Sequence, residues 1–103
     1  MQSKLRFLIS GPGLIGKQHA RLIEQRDDCE LVAIVAPDQA QNQEFAATHS
    51  ACFYTSLSQA LADQKIDACI ISSPNAFHYD QAVTCLSQGI PCLVEKPVTD
   101  NLE

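Results

Sequence analysis

The sequence has no long apolar segment. Its uninterrupted apolar runs, such as residues 31–36, fall far short of the roughly 20 residues that a membrane-spanning helix needs. Near the amino terminus, the run at residues 5–9 is too short to serve as the apolar part of a signal peptide. Internal repeats, low-complexity segments and linker-like stretches are also missing. We therefore expect a single globular domain over residues 1–103, without a membrane span.

Basic residues are scarce. Seven Lys and Arg stand against twelve Asp and Glu, giving a net charge of −5. An acidic chain is repelled by polyanions, so the balance disfavours nonspecific binding to nucleic acid or to an anionic membrane. The remaining composition, 46% hydrophobic and 18% charged, is typical of a folded domain and argues against disorder.

Cysteine is present in an odd number and without any C-x-x-C spacing. We interpret all five as buried thiols in a reducing compartment, which predicts a cytoplasmic protein. We expect no metal site; a redox or metal site is the alternative, which the absence of C-x-x-C spacing disfavours. The five are Cys29, Cys52, Cys69, Cys85 and Cys92.

Apolar runs alternate with segments of helical period along the whole chain. Strands are predicted at residues 4–10, 31–35, 52–54, 66–71 and 90–94. Helices are predicted at residues 14–26, 39–48, 56–64 and 77–88, with Ser56 capping the third and Gly89 ending the fourth. Strands that are apolar on both faces and alternate with helices indicate a parallel α/β sheet covered on both sides.

The first strand runs directly into G-P-G-L-I-G, a G-x-G-x-x-G pattern that opens a helix. Gly11 permits a tight turn, Gly13 lets a pyrophosphate approach the backbone, and Gly16 lets the helix pack closely on the sheet. The N–H groups of Leu14 and Ile15 can donate to phosphate at the positive end of the helix. The alternatives are a glycine-rich turn without a ligand, or another nucleotide-like ligand such as S-adenosylmethionine.

The second strand ends without the acid that a dinucleotide site normally carries about 20 residues after the glycines. Ala36 occupies that position, and Asp38 follows two residues later. Asp38 could reach the adenosine ribose, or it could cap the next helix. Since no Arg or Lys follows to bind a 2′-phosphate, the sequence leaves NAD and NADP both open.

Three stretches together resemble the glucose–fructose oxidoreductase and inositol dehydrogenase family (Gfo/Idh/MocA). They are G-L-I-G-K-Q-H-A at residues 13–20, I-I-S-S-P-N-A-F-H at 70–78 and L-V-E-K-P at 93–97. The glycine loop is common to many families, whereas S-P-N-x-x-H and E-K-P are specific. The resemblance extends over essentially the whole chain.

The resemblance implies roles for residues after the fourth strand. Ser73, Pro74 and Asn75 would form a loop along the cofactor, and His78 would start the next helix near the nicotinamide half. Ordinary polar contacts at a helix start remain the alternative for His78. A ligand is expected at this edge on general grounds too, because ligands of open parallel sheets bind beyond the carboxyl ends of the strands.

The resemblance also implies roles for the residues after the fifth strand. Glu95 would contact the nicotinamide ribose or hold the loop, and Lys96 would face the nicotinamide and the substrate hydroxyl or carbonyl as the catalytic group. A cis bond before Pro97 would aim the lysine, since only proline makes a cis bond inexpensive. A lysine placed there can help to move a proton. The alternative for Glu95 and Lys96 is a solvated turn.

By this resemblance we expect a Rossmann-type, doubly wound sheet of five strands in the order 3-2-1-4-5. Family members continue past E-K-P with a sixth strand and a second domain that forms the substrate pocket, and both would be missing here. The strand at 90–94 would then be an edge that pairs with a second copy of the chain or with a loop. Two hypotheses follow. One is the nucleotide-binding half of an oxidoreductase acting on a sugar or polyol, inactive alone, and the other is a noncatalytic binding or dimerisation module.

Overall fold

The chain folds as a five-stranded parallel sheet with helices on both faces. The computed structural model describes residues 4–11, 14–72 and 75–94, giving only the backbone at 14–15 and 75–80. The strands are β1 (Leu5–Ser10), β2 (Cys29–Val35), β3 (Cys52–Tyr54), β4 (Ala68–Ile71) and β5 (Cys92–Val94). The helices are α1 (Leu14–Glu24), α2 (Ala40–Thr48), α3 (Leu57–Asp63) and α4 (Asn75–Ser87).

The strand order is β3-β2-β1-β4-β5, and all four pairings are parallel. This confirms the predicted Rossmann-type order. The chain moves outward from β1 to β3 and then crosses back to β4 on the other side of β1. The carboxyl ends of β1 and β4 therefore lie side by side where the order reverses, and this point is where open α/β sheets bind ligands.

Each face of the sheet carries its own hydrophobic core. Helices α1 and α2 pack on one face, where Ile9, Ala20 and Phe45 belong to the same buried cluster. Helices α3 and α4 pack on the other, where Leu8 and Leu61 are buried together. Burying one such large side chain contributes about 1.5–3 kcal/mol relative to leaving it exposed. Adjacent residues Leu8 and Ile9 thus serve opposite cores, which explains the continuous apolar runs.

The registers of β1 and β2 shift by one residue between Phe7 and Leu8, whose partners are Leu31 and Ala33. The extra residue, Val32, lies in a β-bulge, and bulges interrupt the regular ladder of hydrogen bonds. The side-chain amide of Gln64, just after α3, donates to the Val32 carbonyl at 3.2 Å. A polar residue at the end of a helix thus satisfies a backbone acceptor in the middle of the sheet.

Several predicted element bounds are corrected. Strand β2 begins at Cys29 rather than 31, because exposed Glu30 pairs with β1 although it breaks the apolar run. Strand β4 begins at 68 rather than 66, since the Asp67 carboxylate accepts the Arg6 backbone N–H at 2.8 Å. Strand β5 begins at 92 rather than 90, where Ile90 N–H still bonds to the end of α4.

The helix bounds differ in the same way. Helix α1 ends at 24 rather than 26, because Arg26 N–H bonds to the Ile23 carbonyl in a tighter final turn. Helix α4 begins at 75 rather than 77. Two predicted helix ends are confirmed. The Ser56 hydroxyl caps α3 by accepting from the Gln59 N–H, and Gly89 follows α4 with a φ of +73°.

The expectation that all five cysteines are buried is wrong for Cys52, which is exposed at the start of the outer strand β3. Cys92 is half-buried, and the other three are buried. All five are free thiols. A hydrogen bond with Cys85, together with burial, raises the pKa of Cys69, so that thiol stays neutral in the core.

No helix among residues 4–11, 14–72 and 75–94 has the length and apolarity to cross a membrane.

Candidate functional site

The candidate site lies at the carboxyl edge of the sheet, where β1 passes into the glycine turn. Gly11 has a φ of +87°, a backbone conformation that residues with a side chain rarely adopt. Its N–H donates to the Val35 carbonyl at 2.9 Å, which ties the turn to the end of β2. The turn therefore requires glycine at position 11, as the sequence predicts. Gly13 lies outside the described residues.

Gly16, in the first turn of α1, touches the same glycine turn. A Cβ built on Gly16 would lie 2.6 Å from the Gly11 carbonyl oxygen and 3.1 Å from the Ser72 hydroxyl oxygen. A carbon that close to a backbone oxygen forces a displacement, so only glycine allows this approach. The predicted close packing of α1 on the sheet is thus present, and it brings the amino end of α1 to the switch point of the sheet.

The amino end of α1 is suited to an anion. The helix begins at Leu14, so the N–H groups of Leu14, Ile15 and Gly16 belong to its first turn, where intrahelical acceptors are missing. No acidic residue occupies this turn, and the exposed Lys17 adds positive charge. The macrodipole favours negative charge at the same place. These residues fit the pyrophosphate of a dinucleotide.

Ser72 is a residue of this site that sequence reasoning did not single out. It follows β4 directly, and its backbone N–H donates to the Ser10 carbonyl at 2.8 Å. Its hydroxyl donates to the Gly11 carbonyl, since a carbonyl can only accept. The signal that could have identified it is the position of a hydroxyl residue at the end of the strand next to β1.

The end of β2 forms the neighbouring part of the edge. Ala36 is buried, and its N–H donates to the Tyr54 carbonyl at 3.0 Å. Asp38 is exposed, and its carboxylate accepts a hydrogen bond from the side-chain amide of Gln43. The helix-capping alternative for Asp38 is wrong, because Gln39 occupies the N-cap position of α2. Asp38 therefore stands at the edge of the sheet with Gln43 as its partner.

The remaining predicted site residues fall near or beyond the limits of the described chain. Helix α4 begins at Asn75, and His78 lies in its first turn, so both backbones stand at the carboxyl edge of β4. Ser73 and Pro74 lie outside the described residues, as do the residues assigned to the nicotinamide end. Those are Glu95, Lys96 and Pro97, together with the expected cis bond.

A cavity of about 250 Å³ lies away from this edge. Its lining includes Lys4, ahead of β1, and Cys29, the first residue of β2. It therefore opens at the amino ends of the strands. The half-buried His49 also lines it, with Nδ1 lying 2.6 Å from a carboxylate oxygen of Glu24. Because switch-point ligands bind at the opposite edge, this cavity is not the dinucleotide site.

Among the residues that the structure describes, no three His, Cys, Asp or Glu side chains come together in a way that could hold a metal ion. The candidate site is thus built from backbone N–H groups, glycines and hydroxyls. Such groups bind anions and sugar hydroxyls rather than cations.

Comparison with known proteins agrees with this geometry. Residues 5–103 match the model of a family described as an oxidoreductase family with an NAD-binding Rossmann fold, Gfo/Idh/MocA. An inositol 2-dehydrogenase of Corynebacterium glutamicum is 33% identical over 105 residues, covering 100% of this chain. An NADP(+)-dependent scyllo-inositol 2-dehydrogenase of Bacillus subtilis is 34% identical over 98 residues, covering 94% of it.

Solved structures give the same result. The WlbA dehydrogenase of Bordetella pertussis, in complex with NADH and UDP-GlcNAcA, superposes with a TM-score of 0.81 at 34% identity. The match covers 90% of this chain and 29% of that one. The two inositol dehydrogenases are covered over 31% and 30% of their length, so this chain spans less than a third of the relatives it matches. The chain belongs to the Gfo/Idh/MocA oxidoreductase family and has that family's NAD-binding Rossmann fold.

Proposed function

We propose that this chain is the dinucleotide-binding part of an NAD(P)-dependent oxidoreductase that acts on a sugar, a polyol or a related hydroxy or carbonyl compound. The observation that carries the proposal is the contact of Gly16 with the Gly11 carbonyl, which leaves no room for a Cβ. A helix held this closely to a strand end presents its free N–H groups at the switch point, where a pyrophosphate binds.

The adenosine half of the cofactor would lie over the end of β2. Buried Ala36 leaves space there, and Asp38 is the carboxylate in reach of the ribose hydroxyls. We expect NAD(H) to bind more tightly than NADP(H), because the exposed carboxylate repels a 2′-phosphate and no Arg or Lys follows Asp38 in α2. The relatives include an NADP(+)-dependent enzyme and an NADH complex, so both cofactors occur among the chain's relatives.

The nicotinamide half would lie along the end of β4. Ser73, Pro74 and Asn75 would flank it, and His78 would contact it from the start of α4. Once bound, the nicotinamide supplies hydride transfer. The chain's own contribution is positioning and proton movement. Glu95 and Pro97 would orient the loop, and Lys96 would assist the proton of the substrate hydroxyl.

The substrate class rests on the relatives, which include inositol dehydrogenases and a dehydrogenase bound to UDP-GlcNAcA. This chain spans less than a third of the length of those relatives. We propose that the chain by itself binds a dinucleotide but turns nothing over. Formation of NADH from NAD and myo-inositol by the 103-residue chain would contradict this.

Calorimetric titration of the 103-residue chain with NADH, NADPH and S-adenosylmethionine tests the proposal directly. We expect saturable binding of NADH, weaker binding of NADPH and no binding of S-adenosylmethionine. The variant Asp38→Asn keeps the size of the side chain and removes its charge, so it should reduce the difference between the affinities for NADH and NADPH. Binding of neither dinucleotide, or preference for S-adenosylmethionine, would refute the proposed function.

A second candidate, dimerisation through the edge strand, is favoured by exposed apolar residues on β5. Leu93 is 51% exposed and Val94 39% exposed, and within the described residues β5 pairs only with β4. A strand that has one neighbour among the described residues offers its other edge for pairing with another chain. We propose that two copies of the chain associate through β5.

Size-exclusion chromatography with light scattering tests this association. Leu93→Lys places a charge on the open edge and should shift a dimer toward monomer. Leu22→Lys is the matched control, because Leu22 is 57% exposed on α1, a helix that packs against β1 and β2. A monomer at high concentration, or equal effects of the two variants, would refute the association.

A further inference from the structure

Ser72 joins the glycine turn to the end of β4. Its backbone N–H donates to the Ser10 carbonyl, and its hydroxyl donates to the carbonyl of the next residue, Gly11. The hydroxyl oxygen also lies 3.3 Å from the Ser10 carbonyl oxygen. Ser10 and Gly11 are 62 and 61 residues from Ser72 in sequence, so the link is tertiary and fixes one loop against another.

The Gly11 carbonyl oxygen is enclosed by this arrangement. The Ser72 hydroxyl contacts it from β4, and Gly16 contacts it from α1. Gly11 itself has a positive φ, and glycine without a partner explores many backbone conformations. The hydrogen bond from Ser72 therefore restricts a residue of the turn whose backbone would otherwise have wide conformational freedom.

We propose that Ser72 is a positioning residue for the pyrophosphate of the dinucleotide, acting through Gly11 rather than by touching the reacting atoms. Its hydroxyl holds the Gly11 carbonyl against α1, so that this oxygen cannot rotate toward the phosphates. A carbonyl oxygen carries negative partial charge, and its rotation into the site would repel an anion. The inference rests on the proposed function and adds to it a residue from a second loop.

Removal of the Ser72 hydroxyl should lower the affinity most for ligands that carry the pyrophosphate. We expect Ser72→Ala to weaken NADH binding about tenfold, the usual scale for one lost hydrogen bond to a partly buried acceptor. Binding of adenosine, which has no phosphate, should be unchanged. A general loss of structure would weaken both ligands together.

The matched control is Ser87→Ala. The Ser87 hydroxyl also donates to a backbone carbonyl, that of Thr84 at 2.8 Å, but it stands at the exposed end of α4. We expect this variant to bind NADH and adenosine like the unaltered chain. Circular dichroism and urea unfolding compare the secondary structure and the stability of both variants with those of the unaltered chain. If Ser72→Ala does not fold, Ser72→Cys replaces the hydroxyl with a weaker donor. This variant should also lose affinity for NADH but not for adenosine, and the loss should be smaller than tenfold.

A measurement without ligand completes the experiment. The Gly11 N–H bonds to Val35 and the Ala36 N–H bonds to Tyr54, so both amides should exchange slowly with solvent. In ligand-free Ser72→Ala we expect exchange at Gly11 to become about tenfold faster while exchange at Ala36 is unchanged. Faster exchange at Gly11 together with selective loss of NADH binding supports the proposal.

The outcomes that contradict the two proposals differ. If the unaltered chain binds NADH and Ser72→Ala binds it equally well, or loses adenosine to the same degree, the role of Ser72 is overturned and the proposed function stands. Unchanged exchange at Gly11 also overturns that role. If the unaltered chain binds no dinucleotide, the proposed function fails and the positioning role fails with it.

Discussion

Two glycines of this chain are required for different physical reasons, and the variants Gly16→Ala and Gly89→Ala separate them. At Gly16 the backbone is helical, and the obstacle is contact, since a Cβ would lie 2.6 Å from the Gly11 carbonyl oxygen. At Gly89 nothing lies within 4 Å of the Cβ position, and the obstacle is the φ of +73°. Gly16→Ala therefore creates a steric clash, whereas Gly89→Ala places alanine in a strained backbone conformation.

The expected magnitudes follow from these two obstacles. Alanine is favoured over glycine in a helix by about 0.5–1 kcal/mol, so an unobstructed Gly16→Ala would stabilise the chain. The obstruction is a backbone oxygen that cannot rotate away, and overpacking of this kind costs about 1–3 kcal/mol. The steric cost is larger on average, so we expect a net loss of up to about 2.5 kcal/mol in the free energy of unfolding. Gly89→Ala should lose a similar amount through its left-handed backbone.

Asparagine distinguishes the two causes. Asn enters the left-handed region more readily than Ala, so Gly89→Asn should recover part of the stability that Gly89→Ala loses. Gly16→Asn should recover nothing, because its larger side chain meets the same oxygen. Urea unfolding curves fitted with a common m-value give the free energy of unfolding of each of the four variants. Titration with NADH should show weakened binding for the Gly16 variants and unchanged binding for the Gly89 variants.

The reasoning is refuted by a Gly16→Ala chain that unfolds at the same or a higher urea concentration than the unaltered chain and binds NADH as well. That result would mean that α1 moves away from Gly11 at no cost. The approach of the helix to the strand would then not be a requirement of the site.

Three further predictions concern the rest of the sheet. Gln64→Ala should lower the free energy of unfolding by about 1–3 kcal/mol in urea denaturation, because it removes an amide that donates to the Val32 carbonyl and the Tyr54 hydroxyl and accepts from Arg6; an unchanged value would contradict the role given to Gln64. Burial raises the pKa of Tyr54, so its contribution to stability is complete below about pH 10 and is lost as the pH rises through the folded pKa. The unaltered chain should therefore lose stability more steeply above pH 10 than Tyr54→Phe does, and equal slopes would refute this. Mass spectrometry after brief alkylation should find Cys52 labelled and Cys69 protected, and rapid labelling of Cys69 in the folded chain would show that it is not buried.

The sheet could be predicted from sequence because its signal is continuous and local. Adjacent residues such as Leu8 and Ile9 belong to opposite cores, and an apolar run records this directly. The starts of strands were less predictable, since pairing extends beyond the apolar run. Glu30 joins β2 through its backbone while its side chain faces solvent, and side-chain hydropathy carries no information about such a pairing.

Parts of the candidate site followed from the glycine pattern, because Gly11 and Gly16 act through their own missing side chains. The partners of those glycines did not follow. The hydroxyl of Ser72 reaches Gly11 across 61 residues of sequence, and only the placement of β4 beside β1 makes this contact possible. A motif therefore identifies the turn, while the residue that holds the turn becomes visible only when the strand order is known.

Asp38 shows how the structure can exclude one of two interpretations of a residue. From sequence, an aspartate just ahead of a helix is as good a cap as it is a ribose ligand. In the structure the N-cap is Gln39, and the Asp38 carboxylate is bound by an amide one turn into α2. An amide partner fixes the direction of the carboxylate without cancelling its charge, so under the proposed function Asp38 would still repel a 2′-phosphate. Gln43→Leu should therefore leave discrimination against NADPH in place, whereas Asp38→Asn should reduce it, and this difference would place the preference for NAD in the charge of Asp38 rather than in the geometry of its loop.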